Sequence, residues 1–458
     1  MKPCGTVLEA AKAKGYNVAL VTTSRITHAT PASYSAHISD RDLENDIASQ
    51  QLGRYTLGRQ VDILWGGGRQ HFLPQHVTGS WRKDDRNMID EASKAGWQVA
   101  LNRSAFETWD NGKKVKFPSL GLFTMSHMAY EVDRNSTAEP SLTEMAIAAL
   151  NALKKANKPF FIMIEGARID HAAHNNDPIG HVHDILEYNK MFQAVTEWVD
   201  QNDNNPMDPS ILVTSTADHE CGGLALGYQR AEDGGQGAYL WYPDVLLKAK
   251  KSTEFLSTQF LEWAANKTDS DKMTYMKQTI IVDSLGISDV QDDEVAHAVS
   301  VATSDTTGLA LTIWLASIVN WRAHLSWSTT GHSGVDVNLY IHTAKGQTPK
   351  SLLDEFKSNH ENTWIGQYVA KYLKLDLASI TKKLNNGTNH IAGQGSANKT
   401  TYLDHYHNGV KRVVPVTTQN ARRDIGYSHA ANDAIYGRRF GGGAHEASHH
   451  FAARRSEL

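Results

Sequence analysis

The chain is predicted to be α/β, a doubly wound and mostly parallel sheet with helices on both faces, on three observations. Amphipathic segments of helix length alternate with short apolar runs. Gly, Pro and Asn separate them, and unusual polar residues gather just beyond the ends of the apolar runs. Strands alternating with helices imply parallel pairing through helical crossovers, and ligands in such sheets bind beyond the carboxyl ends of the strands.

The elements follow in order. Thr6 to Lys14 reads as a helix ended by Gly15, and Asn17 to Thr23 as a buried strand. Val61 to Trp65 is a second strand, before Gly66-Gly67-Gly68. A helix over Leu142 to Ala156 leads to a strand over Pro159 to Glu165, and a helix over His181 to Asp200 to a strand over Ile211 to Ser215. Gly308 to Val319 is apolar but too short to span a bilayer, and reads as a buried helix. Beyond Leu384 apolar periodicity disappears, so residues 1–385 are expected to form one domain and 386–458 a disordered Gly/His/Arg-rich tail.

Composition narrows the function. With 458 residues, 40% apolar and 21% charged, the chain has the make-up of a soluble globular protein. A formal charge of -4 offers no basic field for a polyanion, which argues against nucleic acid as the main partner and leaves a small anion open. Cys4 and Cys221 allow one intrachain disulfide at most, and no hydrophobic signal-peptide core follows Met1. Sequons at Asn102, Asn135, Asn266, Asn386 and Asn398 suit a glycoprotein of the secretory route.

Four clusters carry chemistry. In Glu165-Gly166-Ala167-Arg168-Ile169-Asp170-His171-Ala172-Ala173-His174 the Asp170/His174 spacing puts a carboxylate and an imidazole on one face of a helical turn, able to grip one zinc. In Ser215-Thr216-Ala217-Asp218-His219-Glu220-Cys221-Gly222-Gly223 the adjacent Asp218 and His219 share an ion only in an irregular loop, for which the glycines give freedom. In Gly331-His332-Ser333-Gly334 flanking glycines are expected to turn His332 toward a site. In Arg25-Ile26-Thr27-His28-Ala29-Thr30-Pro31, Thr30 is expected to cap a helix that presents Arg41, whose planar guanidinium suits phosphate oxygens. Each cluster alone is more often an ordinary polar loop or solvated helix start; the ordered combination is what carries weight.

That combination resembles the alkaline phosphatase family, most closely its fungal vacuolar-type members, from Pro3-Cys4-Gly5-Thr6 to Thr381-Lys382-Lys383-Leu384. The resemblance implies a phosphate monoester hydrolase with two Zn2+ ions and one Mg2+ ion, acting on small phosphomonoesters. Matching positions imply that Asp170, His174 and His332 hold one zinc and that Asp218 and His219 contribute to the second. Thr30 and Glu165 match magnesium ligands, with His28 reaching that ion through water. Arg41 matches the phosphate-clamping arginine, and His171 a residue beside the phosphate. Vacuolar or secretory placement and a homodimer are implied in the same way.

The sequence also departs from the family. Its Asp-Gly-Met-Gly and Asp-Ser-Ala motifs, the latter bearing the nucleophilic serine, do not occur here. The expectation is an amino-terminally truncated phosphatase lacking the first strand of its sheet, with any membrane anchor in the missing part and with little turnover as written. The alternatives are a non-catalytic zinc- or phosphate-binding remnant, or another metallohydrolase. A sulfatase is disfavoured, since no Cys/Ser-x-Pro-x-Arg motif occurs.

Overall fold

The computed structural model describes residues 2–203, 211–229, 240–305, 307–344 and 348–386, with the backbone of two short strands, Thr401–Tyr402 and Val414–Pro415. The expected tail thus lies, from residue 387 on, outside the described residues except for that backbone. Of the two units into which the chain divides, Met1–Lys399 with Asp404–Lys411 holds every residue discussed below.

Helix α1 (Val7–Ala13) starts at a capping box: the Glu9 N–H donates to the Thr6 hydroxyl at 3.2 Å and the Thr6 N–H to the Glu9 carboxylate at 3.0 Å. Strand β1 (Asn17–Arg25) follows, buried at every position and two residues longer than the sequence suggested. It is the inner strand between β2 (Ile63–Gly67) and β5 (Phe160–Glu165), and β3 (Gln98–Ala100) and β4 (Ser119–Leu122) complete a sheet of order β3-β4-β2-β1-β5. All four pairings are parallel.

Period-two alternation along β1 divides the core. Ala19 and Val21 pack on one face with residues of the helix Leu142–Lys155, while Val18 and Leu20 pack on the other with Leu8 of α1. Apolar side chains leave both faces of β1, so the strand reads as a continuous apolar run and the sheet is doubly wound. The helix expected over Gly308 to Val319 is Leu309–Ala323, largely buried.

One expectation is corrected. The strand predicted over Ile211 to Ser215 forms as β6 (Leu212–Thr216), but it does not join the parallel sheet. It pairs antiparallel with a strand at Leu339–Thr343. Between β6 and β5 lies a cavity of about 590 Å³ lined by Phe161, Ile162, Ile164, Val213 and, from the helix Pro178–Asn202, Met191 and Val195. No described strand occupies that space, so β5 keeps one unpaired edge and its apolar residues are only half-buried at every position.

Candidate metal centre

The helix Arg168–His174 begins just past the carboxyl end of β5, and one turn brings His174 Nε2 to 3.3 Å from Asp170 Oδ2. His174 Nδ1 meets the Thr330 carbonyl at 2.5 Å. A carbonyl only accepts, so Nδ1 carries a proton, and Nε2 is the atom that faces the carboxylate. A proton on Nε2 or a cation between the two atoms satisfies both.

The same arrangement recurs beyond β6. His219 Nδ1 lies 3.1 Å from the Glu220 carbonyl, while Nε2 lies 3.2 Å from Asp218 Oδ2. The irregular loop that permits this is held by Gly222 and Gly223 at φ of 85° and 59°, as their place in the sequence suggested. His332 closes the group, its ring centroid 3.5 Å from that of His219 and 5.1 Å from that of His174. Gly331 and Gly334 are not among the positive-φ glycines, so the reason expected for them fails. The His332 loop is held instead by the Gly222 N–H, which donates to the Gly331 carbonyl at 2.8 Å.

Electrostatics agree with a cation here. Burial works against the Asp170 carboxylate, but His174, Cys221 and His219 together hold the group below its ordinary value. Burial and the neighbouring His219 and His174 push His332 down, toward the neutral form that binds metal. Glu165, at the end of β5, is pushed up by burial, although it accepts from the Thr22 hydroxyl at 2.6 Å and is hydrogen-bonded by Thr30. Asp218 and Asp170 push it further the same way, a strain that a cation among the three carboxylates relieves.

Beside these groups, Arg41 Nη2 reaches His28 Nε2 at 3.1 Å, and the His28 and His171 rings meet edge to face at 5.3 Å. Burial and Arg25 drive His28 down to about 3. His171 lies well below the usual range through burial and Arg168, whose Nη1 sits 2.9 Å from its Nδ1. The helix after His28 is Ala29–Ser35 with His28 itself at the N-cap, so Thr30 lies inside the first turn and does not cap it. The helix ends before Arg41, which stands in a turn ahead of the helix Glu44–Gln51. Pro31 without its N–H suits the first turn wherever the cap falls, so its presence did not single out Thr30.

The structure therefore brings together Asp170, His174, Asp218, His219 and His332, joins Glu165 to Thr30, and joins Arg41 to His28, whose ring in turn meets that of His171. It adds residues the sequence reading missed. Thr22, on β1, supports Glu165; His127, past the end of β4, packs its ring 4.3 Å from that of His171. Cys221 stands with Asp170, His174 and His332, one ligand atom from each lying within 4.8 Å of the others. Looking just past every strand end would have found His127; Thr22 sits within an apolar run, where nothing marks it.

The chain has relatives among known proteins. The pattern of the alkaline phosphatase family matches residues 1–375. The repressible alkaline phosphatase of Saccharomyces cerevisiae is 40% identical over 421 residues, covering 88% of this chain and 72% of the yeast protein. The alkaline phosphatase of Schizosaccharomyces pombe is 38% identical over 397 residues, covering 85% and 70%. Among solved structures, the cold-active alkaline phosphatase of Shewanella sp. superposes with a TM-score of 0.62 at 24% identity, covering 81% of this chain and 79% of that one. The chain belongs to the alkaline phosphatase family, whose members are metal-dependent phosphoric monoester hydrolases.

Proposed function

We propose that the protein hydrolyses phosphate monoesters at a centre built for two zinc ions and a magnesium ion. The carrying observation is the repeated pairing of an imidazole with a carboxylate, His174 Nε2 at 3.3 Å from Asp170 Oδ2 and His219 Nε2 at 3.2 Å from Asp218 Oδ2, with His332 stacked on His219. Asp170, His174 and His332 would hold one zinc, Asp218 and His219 the second, and Thr30 and Glu165 the magnesium, with His28 behind it. Bound cations supply charge for the entering and leaving oxygens of phosphoryl transfer. The protein's own part is orientation: Arg41 donates to equatorial phosphate oxygens, and His171, fixed by Arg168, lies beside them.

A second reading, binding of metal and phosphate without turnover, is favoured by the absence of an Asp-Ser-Ala triplet from these residues. Purified protein is assayed for p-nitrophenyl phosphate hydrolysis and for inorganic phosphate binding, before and after zinc removal. Zinc-dependent hydrolysis lost in His332→Ala supports the first reading. Zinc-dependent phosphate binding without hydrolysis supports the second, and phosphate binding indifferent to zinc removal contradicts both.

A further inference from the structure

The Cys221 thiol has no assigned part in the site just described, yet it stands among three of its candidate ligands. It is not in a disulfide and is half-buried, its Sγ 3.7 Å from the Asp170 carbonyl oxygen. Its sulfur belongs to a set of four ligand atoms, with Asp170, His174 and His332, all within 4.8 Å of one another. Ligands around a tetrahedral zinc stand about 3.5 Å apart, given bonds of about 2.0 to 2.3 Å, so closure needs shifts of about an ångström or less. The loop is held for such a contact. Gly222, next in the chain, donates to the Gly331 carbonyl beside His332, and a Cβ there would lie 2.4 Å from the Trp327 ring.

We propose that Cys221 is a fourth protein ligand of the cation held by Asp170, His174 and His332, binding as thiolate. This rests on the two-zinc reading above and goes beyond it. As the sulfur–metal bond forms, the S–H bond breaks and its proton leaves to solvent; nothing is oxidised or reduced. A soft thiolate selects zinc or cobalt over magnesium and calcium at this position. Four protein ligands also close the coordination sphere, whereas a catalytic ion keeps a position open. Phosphate or water would then enter by displacing the sulfur or as a fifth ligand.

Two measurements on the full chain test this. Cobalt(II)-loaded protein is expected to show a sulfur-to-cobalt charge-transfer band in the near ultraviolet, absent from Cys221→Ser, which keeps its visible ligand-field bands. Zinc is expected to slow iodoacetamide alkylation of Cys221 by at least about tenfold, with exposed Cys4 unchanged as internal reference. Ligand-field bands without charge transfer in the wild type, or zinc binding without protection of Cys221, overturn the proposal and leave the two-zinc reading standing. Failure of both zinc and cobalt to bind overturns both.

Discussion

The rings of His219 and His332 stack with centroids 3.5 Å apart and planes 23° apart, although they come from separate loops. Removing one should be felt as a loss of metal. In His332→Ala, zinc stoichiometry is expected to fall by one and zinc-induced stabilisation to shrink. A site at 100-fold its dissociation constant contributes about 2.7 kcal/mol. Metal analysis and melting with and without zinc check this; an unchanged stoichiometry would contradict it.

Gly222 links the site to its packing. At φ of 85° with the Trp327 ring 2.4 Å from any added Cβ, it tolerates no side chain without movement. Gly222→Ala is expected to cost about 1 to 3 kcal/mol in urea denaturation and to weaken zinc binding, because Asp218, His219 and the His332 loop move with it. A variant that destabilises but binds zinc normally would separate the two effects and defeat this link.

Asp184 gives a pH signature. Burial pushes its carboxyl up to about 7, against the Glu131 N–H that donates to it at 3.0 Å. A carboxyl whose folded pKa is raised is harmless below its unfolded value near 4; its destabilisation grows with pH and is complete above about 7. Asp184→Asn keeps the acceptor for Glu131. It is expected to stabilise the protein by on the order of 4 kcal/mol at pH 8 and hardly at all at pH 4. Denaturation curves at the two values check the sign; an equal effect at both would contradict it.

The strand edges differ in protection. Strand β1 is paired on both sides, β5 on one, with the cavity on the other. Amide hydrogen exchange is expected to be slowest along β1 and faster at those β5 amides that face the cavity. Uniform protection of both strands would show that something fills the space.

Much of this was legible in the sequence. The helix–strand alternation placed β1, β2 and β5 because period and punctuation are local properties. The Asp170/His174 pair was legible because helical spacing alone fixes it. The antiparallel partner of β6 was not, because pairing across the chain between Val213 and His342 leaves no mark in either segment. The cap before Pro31 was not, since His28 and Thr30 are both compatible with the first turn. Cys221 was passed over because its proximity to Asp170 and His174 is tertiary, and His127 because the strand Ser119–Leu122 before it was not read as one.

The central claim is that the imidazole–carboxylate pairs at Asp170/His174 and Asp218/His219 enclose two separate cations. Anomalous scattering at the zinc edge, from zinc-soaked crystals, tests it directly. Two peaks are predicted, one bonded to Asp170, His174 and His332 at about 2.0 to 2.2 Å and one to Asp218 and His219. Zinc bound only elsewhere, with these five side chains left uncoordinated, would contradict the account.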